Sequence, residues 1–466
     1  MKPRLLSWIA NATGGRVVGA DRAIDAVATD TRALPQGREA LFVALKGENF
    51  DGHDHVAAAS GGGCVAALVS REVTASIPQV VVADTERALG DLAAAVQRER
   101  ATRVLAITGS NGKTSVKTLL LSILDQAGGA YANPGNRNNE IGLPLAVLDA
   151  PDDARFAVYE MGAGKPGDIA YLTAIARPDV ALVNNIAPAH LERMGSLLGV
   201  ADTKAAIYDA LPADGTAIIN ADDAFAPYFI ERAHGRRIVR VGLEASADIS
   251  ARDIRADGDG SRFVLATPRG EVEVALPMPG RHNVRNALAA AAMALGAGAT
   301  LEQARDGLNA VQPVAGRLVS HRLRCGAVLV DDSYNANPGS LDAAIDTLAS
   351  SGDDAWLVLG DMRELGADEI ALHAQAGARA KAAGIARLYT LGALSQAAAD
   401  AFGDGARGFA SHAQLAETLS VELRDGVRVL VKGSRGSAMD RIVKALLASD
   451  AAADKAATHK GDADAA

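Results

Sequence analysis

The stretch from Val104 to Ala127 constrains this chain more than any other. An apolar run, Val104–Thr108, stops at Gly109-Ser110-Asn111-Gly112-Lys113-Thr114-Ser115. A helical apolar period, Val116–Ala127, follows at once. Two glycines free the backbone to curl until successive N–H groups point inward, and the helix N-terminus adds partial positive charge. Strand, glycine-rich turn, Lys-Thr and helix are the layout of a phosphate-binding loop. Lys113 is then placed for the β/γ-phosphates and Thr114 for a Mg2+ held against them. Gly109, Ser110, Asn111, Gly112 and Ser115 complete the candidate cradle. The general spacing asks for a glycine at position 107, where Ile107 stands. Taken alone, the segment also fits a plain tight strand–helix turn.

The rest of the chain suits such a loop. Short β-branched runs, among them Leu41–Leu45, Val65–Val69, Phe156–Glu160, Val180–Asn184, Thr216–Asn220, Val328–Asp332, Trp356–Gly360 and Val427–Lys432, alternate with helical patterns. This predicts an α/β fold of parallel sheets buried on both faces. Ala251–Pro277 reads instead as a small antiparallel insertion. At 466 residues the chain has room for about three domains of roughly 150. Breaks near Ala83–Asp84 and Gln312–Gly316 predict domains over residues 1–84, 85–313 and 314–448. The segment 449–466 lacks large apolar residues and is expected to be disordered.

Charge and cysteine usage narrow the class. Forty-seven basic residues face 56 acidic ones, a net charge of −9, so no nucleic-acid partner held by bulk charge is expected. Cys64 and Cys325 are too few for a disulfide framework or thiolate cage. The first residues, MKPRLLSWIANATGG, have too short an apolar core for a secretory signal, and no run approaches the length of a membrane span. A cytoplasmic protein without membrane insertion is expected.

Carboxylates and a histidine at predicted strand ends fall where parallel sheets bind ligands. Glu160 closes Phe156–Glu160 and offers a hard oxygen ligand for Mg2+. His190 lies just past Val180–Asn184. Asp332 ends Val328–Asp332, where a carboxylate can accept a ribose hydroxyl. Asn133–Gly142 is dense in asparagine, and by itself is equally a solvated loop.

The loop, of the form T-G-x-N-G-K-T, resembles the ATP loop of the Mur ligase superfamily and its folylpolyglutamate synthetase relatives. Further motifs extend the resemblance over roughly residues 25 to 445. His190-Leu191 resembles the family motif whose histidine reaches a second metal. Lys204, which nothing in its spacing marks, matches a lysine that many of these ligases carry as a carbamate and use as a metal ligand. Gly280-Arg281-His282-Asn283-Val284-Arg285-Asn286 resembles the signature whose asparagines, here Asn283 and Asn286, lie against the nucleotide. Gly316-Arg317 resembles the hinge-side Gly-Arg, whose planar guanidinium suits phosphate. Tyr334-Asn335-Ala336-Asn337-Pro338-Gly339-Ser340 resembles the branch that adds D-alanyl-D-alanine, as do Gly360-Asp361-Met362-Arg363-Glu364 and Lys432-Gly433-Ser434.

The resemblance implies a small N-terminal α/β domain for a UDP-linked substrate, a central P-loop-type ATPase domain and a Rossmann-like C-terminal domain for the dipeptide. It implies ATP and Mg2+ as cofactors, with Lys113, Lys204 and His190 catalytic and Thr114, Glu160, His190 and Lys204 around metal. It places substrate contacts at Thr31, Arg32, Gly47, Asn138, Asn335, Asn337, Lys432 and Ser434. The implied partners are UDP-N-acetylmuramoyl-tripeptide and D-alanyl-D-alanine, joined by an ATP-dependent amide ligase of the peptidoglycan pathway acting as a monomer. Two alternatives stay open: a diaminopimelate- or lysine-adding ligase of the same superfamily, and a non-catalytic nucleotide switch. A switch has no need of a second metal site.

Overall fold

The computed structural model describes residues 1–188, 191–312, 314–352 and 354–463, and of residues 191–192 and 453–463 the backbone alone. A six-stranded, wholly parallel sheet holds the phosphate loop. Its spatial order is Arg237–Val241, Thr216–Asn220, Val180–Val183, Arg103–Thr108, Phe156–Glu160, Ala130–Ala132. Arg103–Thr108 is therefore flanked on both sides. Thr108 pairs with Val183, and Ile107 with Glu160. The three strands end at one edge, so the loop, Glu160 and the segment after Val183 emerge together.

Alternation along that strand sets the packing. Val104 and Ala106 face one apolar cluster, Leu105 and Ile107 the other. The second cluster is completed by Val116, Leu119 and Leu120 of the helix Lys113–Asp125 and by the alanine-rich helix Arg281–Gly296. The first includes Leu89 and Leu92 of the helix Thr85–Arg98. It continues without a break to Leu41, Val43 and Leu68 of the N-terminal sheet.

The N-terminal sheet has the order Arg16–Val18, Gln79–Val81, Cys64–Val69, Ala40–Val43, Ala26–Ala28, with only the first pairing antiparallel. The expected insertion is a three-stranded antiparallel sheet, Ser250–Asp257, Gly260–Thr267 and Gly270–Leu276. The last sheet runs Val319–Arg322, Val328–Asp332, Val427–Lys432, Asp354–Gly360, Arg387–Leu391, Ala406–Phe409, again with only its first pairing antiparallel. Apolar clusters cover both of its faces, Trp356 being the largest side chain among them.

Two expectations change. The strand read as Val180–Asn184 stops at Val183, because Asn184 turns to serve the phosphate loop. The segment 449–463, expected to be disordered, continues the closing helix Asp440–Ala463. Its composition lacks core-forming side chains, but alanine is the best helix former, so backbone propensity decides.

Candidate functional site

The phosphate loop is held by asparagines from neighbouring strand ends. Asn185 accepts from the Asn111 N–H through Oδ1 (2.8 Å) and from the Ser110 N–H through its carbonyl (2.9 Å). Asn184 Nδ2 donates to the Asn111 carbonyl (2.9 Å) and to Asn286 Oδ1 (3.0 Å). Asn286 donates in turn to Asn283 Oδ1 (3.3 Å), and Asn220 to the Asn184 carbonyl (2.8 Å). Asn286 is thus linked to the loop through Asn184, and Asn283 supports Asn286. Gly112 is left-handed (φ +78°). A Cβ there would stand 2.5 Å from Asn184 Nδ2 and 2.7 Å from Asn286 Oδ1. Only glycine lets the asparagines close on the loop.

Glu160, 4% exposed, lies beside the first turn of the following helix. Thr114 Oγ1 donates to its Oε2 (3.0 Å) and Asn138 Nδ2 to its Oε1 (3.1 Å). Burial pushes the carboxyl up, yet Lys117, Lys113 and the Asn138 hydrogen bond together hold it below its ordinary range. Adjacent hydroxyl and carboxylate oxygens are the donors a small hard cation prefers. Among the described residues no group of three or more His, Cys, Asp or Glu could hold a metal. A cation at Thr114 and Glu160 would therefore draw its remaining ligands from phosphate and water.

Two cavities flank the loop. One of about 350 Å³ is lined by Gly109, Ser110, Lys113, Asn138, Asp168 and Lys204, among others. Burial lowers the Lys113 pKa, and Arg317 adds to this while Glu160 opposes it. Its ammonium donates to the Gly109 carbonyl (2.7 Å). Lys204, on the helix Leu197–Asp209, is 2% exposed. Burial, assisted by the charge of Lys113 and opposed by Asp168, pushes its pKa down to about 7. The resemblance placed Lys204 at the reaction, and the structure puts it in one cavity with the phosphate loop.

The other cavity, about 170 Å³, lies between the central and C-terminal sheets. Asn111, Gly112, Asn283, Asn286, Arg317 and Asp332 line it. Arg317 Nη2 donates to Thr114 Oγ1 (3.3 Å) and its guanidinium stacks 4.3 Å from the Tyr334 ring centroid. Ser115 lines this side as well. Asp332 does not stand free at its strand end. Lys432, its register partner, donates to it at 2.5 Å and to the Asn335 carbonyl at 3.0 Å. Burial pushes the Asp332 carboxyl up, with Lys432 working against it. Lys432, expected at the substrate, lines this cavity with its ammonium paired to Asp332.

The remaining expected contacts divide. Asn337 caps the helix Pro338–Ala349 through Ser340 N–H (2.9 Å) and donates Nδ2 to Asn111 Oδ1 (2.7 Å), across to the phosphate loop. Ser434 accepts from the Arg363 N–H (2.9 Å) and donates to the Ala336 carbonyl (3.1 Å), tying loops together. Asn335 is exposed. Thr31 and Gly47 follow the adjacent strands Ala26–Ala28 and Ala40–Val43, so they share one edge of the N-terminal sheet. Arg32 is exposed there, paired with Asp30. None of these three lines either cavity beside the loop. His190 lies outside the described residues. The motifs left unmarked Lys117, Asn184, Asn185 and Asp168. The asparagines had one signal, their position just past a strand, whereas Lys117 had only its spacing of one turn from Lys113.

Known proteins resemble this chain in sequence and fold. Residues 107–294 match the Mur ligase middle domain, and residues 316–435 match the Mur ligase, glutamate ligase domain. The UDP-N-acetylmuramoyl-tripeptide–D-alanyl-D-alanine ligase of Escherichia coli (strain K12) is 45% identical over 95% of this chain and 98% of its own length. The crystal structure of MurF from Acinetobacter baumannii superposes with a TM-score of 0.90 at 34% identity, covering 96% of this chain and 99% of that one. MurF ligase from Thermotoga maritima, solved in complex with ADP, gives a TM-score of 0.83 at 26% identity over 91% and 97% of the two chains. In sequence, domain content and fold, this chain belongs to the Mur ligase family.

Proposed function

We propose that this chain is the ATP-dependent ligase that joins D-alanyl-D-alanine to UDP-N-acetylmuramoyl-tripeptide in cytoplasmic peptidoglycan precursor synthesis, acting as a monomer. One observation carries the reading: the phosphate loop opens into a cavity where Lys113 and the buried Lys204 stand with Asn138 and Asp168. A lysine at a phosphate loop, with a second buried lysine able to become a cation ligand, suits the meeting of two anions, a triphosphate and a carboxylate.

ATP at Gly109–Thr114 passes its γ-phosphoryl group to the terminal carboxylate of the tripeptide, giving an acyl phosphate and ADP. The dipeptide amine attacks the acyl carbon, phosphate leaves with the bonding pair, and an amide remains after the amine loses a proton. Lys113 and Arg317 offset the charge that builds on the transferring group. Thr114 and Glu160 would hold Mg2+, which when bound neutralises the β- and γ-phosphates. Lys204, its pKa pushed down to about 7 by burial, has a neutral amine fraction near pH 7 that can add CO2 and lose a proton to give a carbamate carboxylate. With His190 it would hold a second cation. Positioning by these groups supplies most of the catalysis.

The division of labour follows the sheets. Residues 1–84, with Thr31, Arg32 and Gly47 at one sheet edge, take the UDP end. Residues 85–313 take ATP, and residues 314–448 the dipeptide. Phosphate release measured with UDP-tripeptide and dipeptide, singly and together, tests the reading. Release is expected only with both, and release independent of the dipeptide would overturn it. Mass analysis of Lys204 tests the carbamate, as does rescue of Lys204→Ala by short carboxylic acids. Unmodified lysine together with no rescue removes that part.

A further inference from the structure

We infer that Lys117 is a built-in counter-cation for Glu160, a positioning residue that keeps the carboxylate oriented and closed to free divalent cations until a nucleotide arrives. The inference rests on Glu160 being the cation ligand proposed above.

Lys117 sits on the phosphate-loop helix one turn after Lys113 and is buried, 7% exposed. An ammonium has three N–H donors and no acceptor. Lys117 donates to the Asn133 carbonyl at 3.2 Å and the Gly135 carbonyl at 3.2 Å, and forms an ion pair with Glu160 Oε2 at 3.3 Å. Lys117 lines neither cavity beside the phosphate loop. Lys113 is arranged differently, since its amine rests on its own loop at Gly109 and lines the open cavity. Two lysines of one helix thus have separate tasks. Lys113 is available to the ligand, and Lys117 is committed to the protein.

The commitment falls on the oxygen that a cation would need. Glu160 Oε2 accepts from Thr114 Oγ1 and is ion-paired with Lys117 Nζ, while Oε1 accepts from Asn138. Asn133 closes the arrangement, its Oδ1 accepting from the Glu160 N–H (2.9 Å) and its Nδ2 donating to the Glu160 carbonyl (3.1 Å). A buried carboxylate with one fixed positive neighbour is nearly neutral as a unit. A divalent cation alone meets that positive charge without compensation. With bound nucleotide, the phosphates supply the missing negative charge and further oxygens. The cation then enters with the nucleotide, and Lys117 stays to hold the Asn133–Gly135 turn against Glu160.

Binding of Mn2+, followed by electron paramagnetic resonance on the full chain, tests this with and without ADP. Wild type is expected to bind Mn2+ at this site only with ADP. Lys117→Met and Lys117→Gln remove the charge, one keeping the length and the other amide donors. At least one of them is expected to bind Mn2+ without nucleotide tenfold or more tightly than wild type. Lys117→Arg should behave as wild type, and adding Glu160→Gln should erase the gain. Neutral variants that bind Mn2+ no better than wild type, or a gain that survives Glu160→Gln, overturn the counter-cation role. Glu160→Gln alone should weaken Mn2+ binding in the presence of ADP. Unchanged binding there instead removes Glu160 as the ligand, and the underlying site assignment with it.

Discussion

Lys204 shows how one residue's surroundings decide its chemistry. Burial beside Lys113 holds its amine near 7, against about 10.5 for the unfolded chain. Between those values the unfolded chain binds more protons, so stability rises with pH across that window by up to about 1.4 kcal/mol per unit. Urea unfolding in CO2-free buffer is expected to show wild type gaining on Lys204→Met from pH 7 to pH 10, with a flat difference below about pH 6. A difference that stays flat throughout would mean the amine is hydrated. Gly112 makes a second prediction. Alanine there must adopt φ near +78° and displace Asn184 or Asn286. Gly112→Ala should cost about 1–3 kcal/mol in thermal unfolding and weaken ADP binding further than that loss explains. Gly112, Lys113 and Thr114 were legible in the sequence because a phosphate loop needs those types in that order. Lys204 was marked by the family resemblance alone and Lys117 by nothing, since burial is a property of the packed chain. A lysine on an apolar helix reads as solvent-facing until its neighbours are placed.

Elements carry information of a different kind. Strands buried on both faces, such as Arg103–Thr108, Phe156–Glu160 and Val180–Val183, must be apolar throughout, and the sequence reading found all three within a residue or two. Edge strands escaped it. Ala130–Ala132 is three residues long, and Arg237–Val241 interleaves arginines with valines because part of it is exposed. The segment Asn335–Ser340 was marked in the sequence, but what Asn337 does there was not. Asn337 does two things at once, capping the helix Pro338–Ala349 and donating to Asn111. Asn337→Asp keeps the cap, and its charge suits the helix N-terminus. It loses the donor and places a negative group next to the phosphate loop. Its melting temperature is expected to match wild type while kcat/KM for ATP falls about tenfold or more. Asn337→Ala should lose about 1 kcal/mol of stability as well. An Asp variant with full activity would reduce Asn337 to a helix cap.

At the scale of the whole molecule, the net charge of −9 shows that nucleotide attraction is local. Lys113 and Arg317, which line the cavities on either side of the loop, are the groups proposed to supply it. Among the described residues, polar contacts join the central and C-terminal parts both near the loop and farther from it. Near the loop, Arg317 meets Thr114 and Asn337 meets Asn111. Farther off, Arg428 on the last sheet's strand Val427–Lys432 meets Asp259 at the tip of the antiparallel insertion, 3.1 Å away. Asp259 is largely exposed, and ion pairs of that kind contribute about 0–1 kcal/mol. The partly buried contacts at the loop should dominate, because they sit where the nucleotide binds and water is scarce. Asp259→Asn is accordingly expected to change kcat less than twofold. Asn111→Ala and Asn337→Ala should each lower it, and the double variant should fall short of their sum by about 0.5–3 kcal/mol in transition-state terms. Additive losses would mean that the two asparagines act separately and that closure on the nucleotide does not pass through their hydrogen bond. A large effect of Asp259→Asn would move the clasp to the insertion and give the three-stranded sheet a mechanical role in bringing the two parts together.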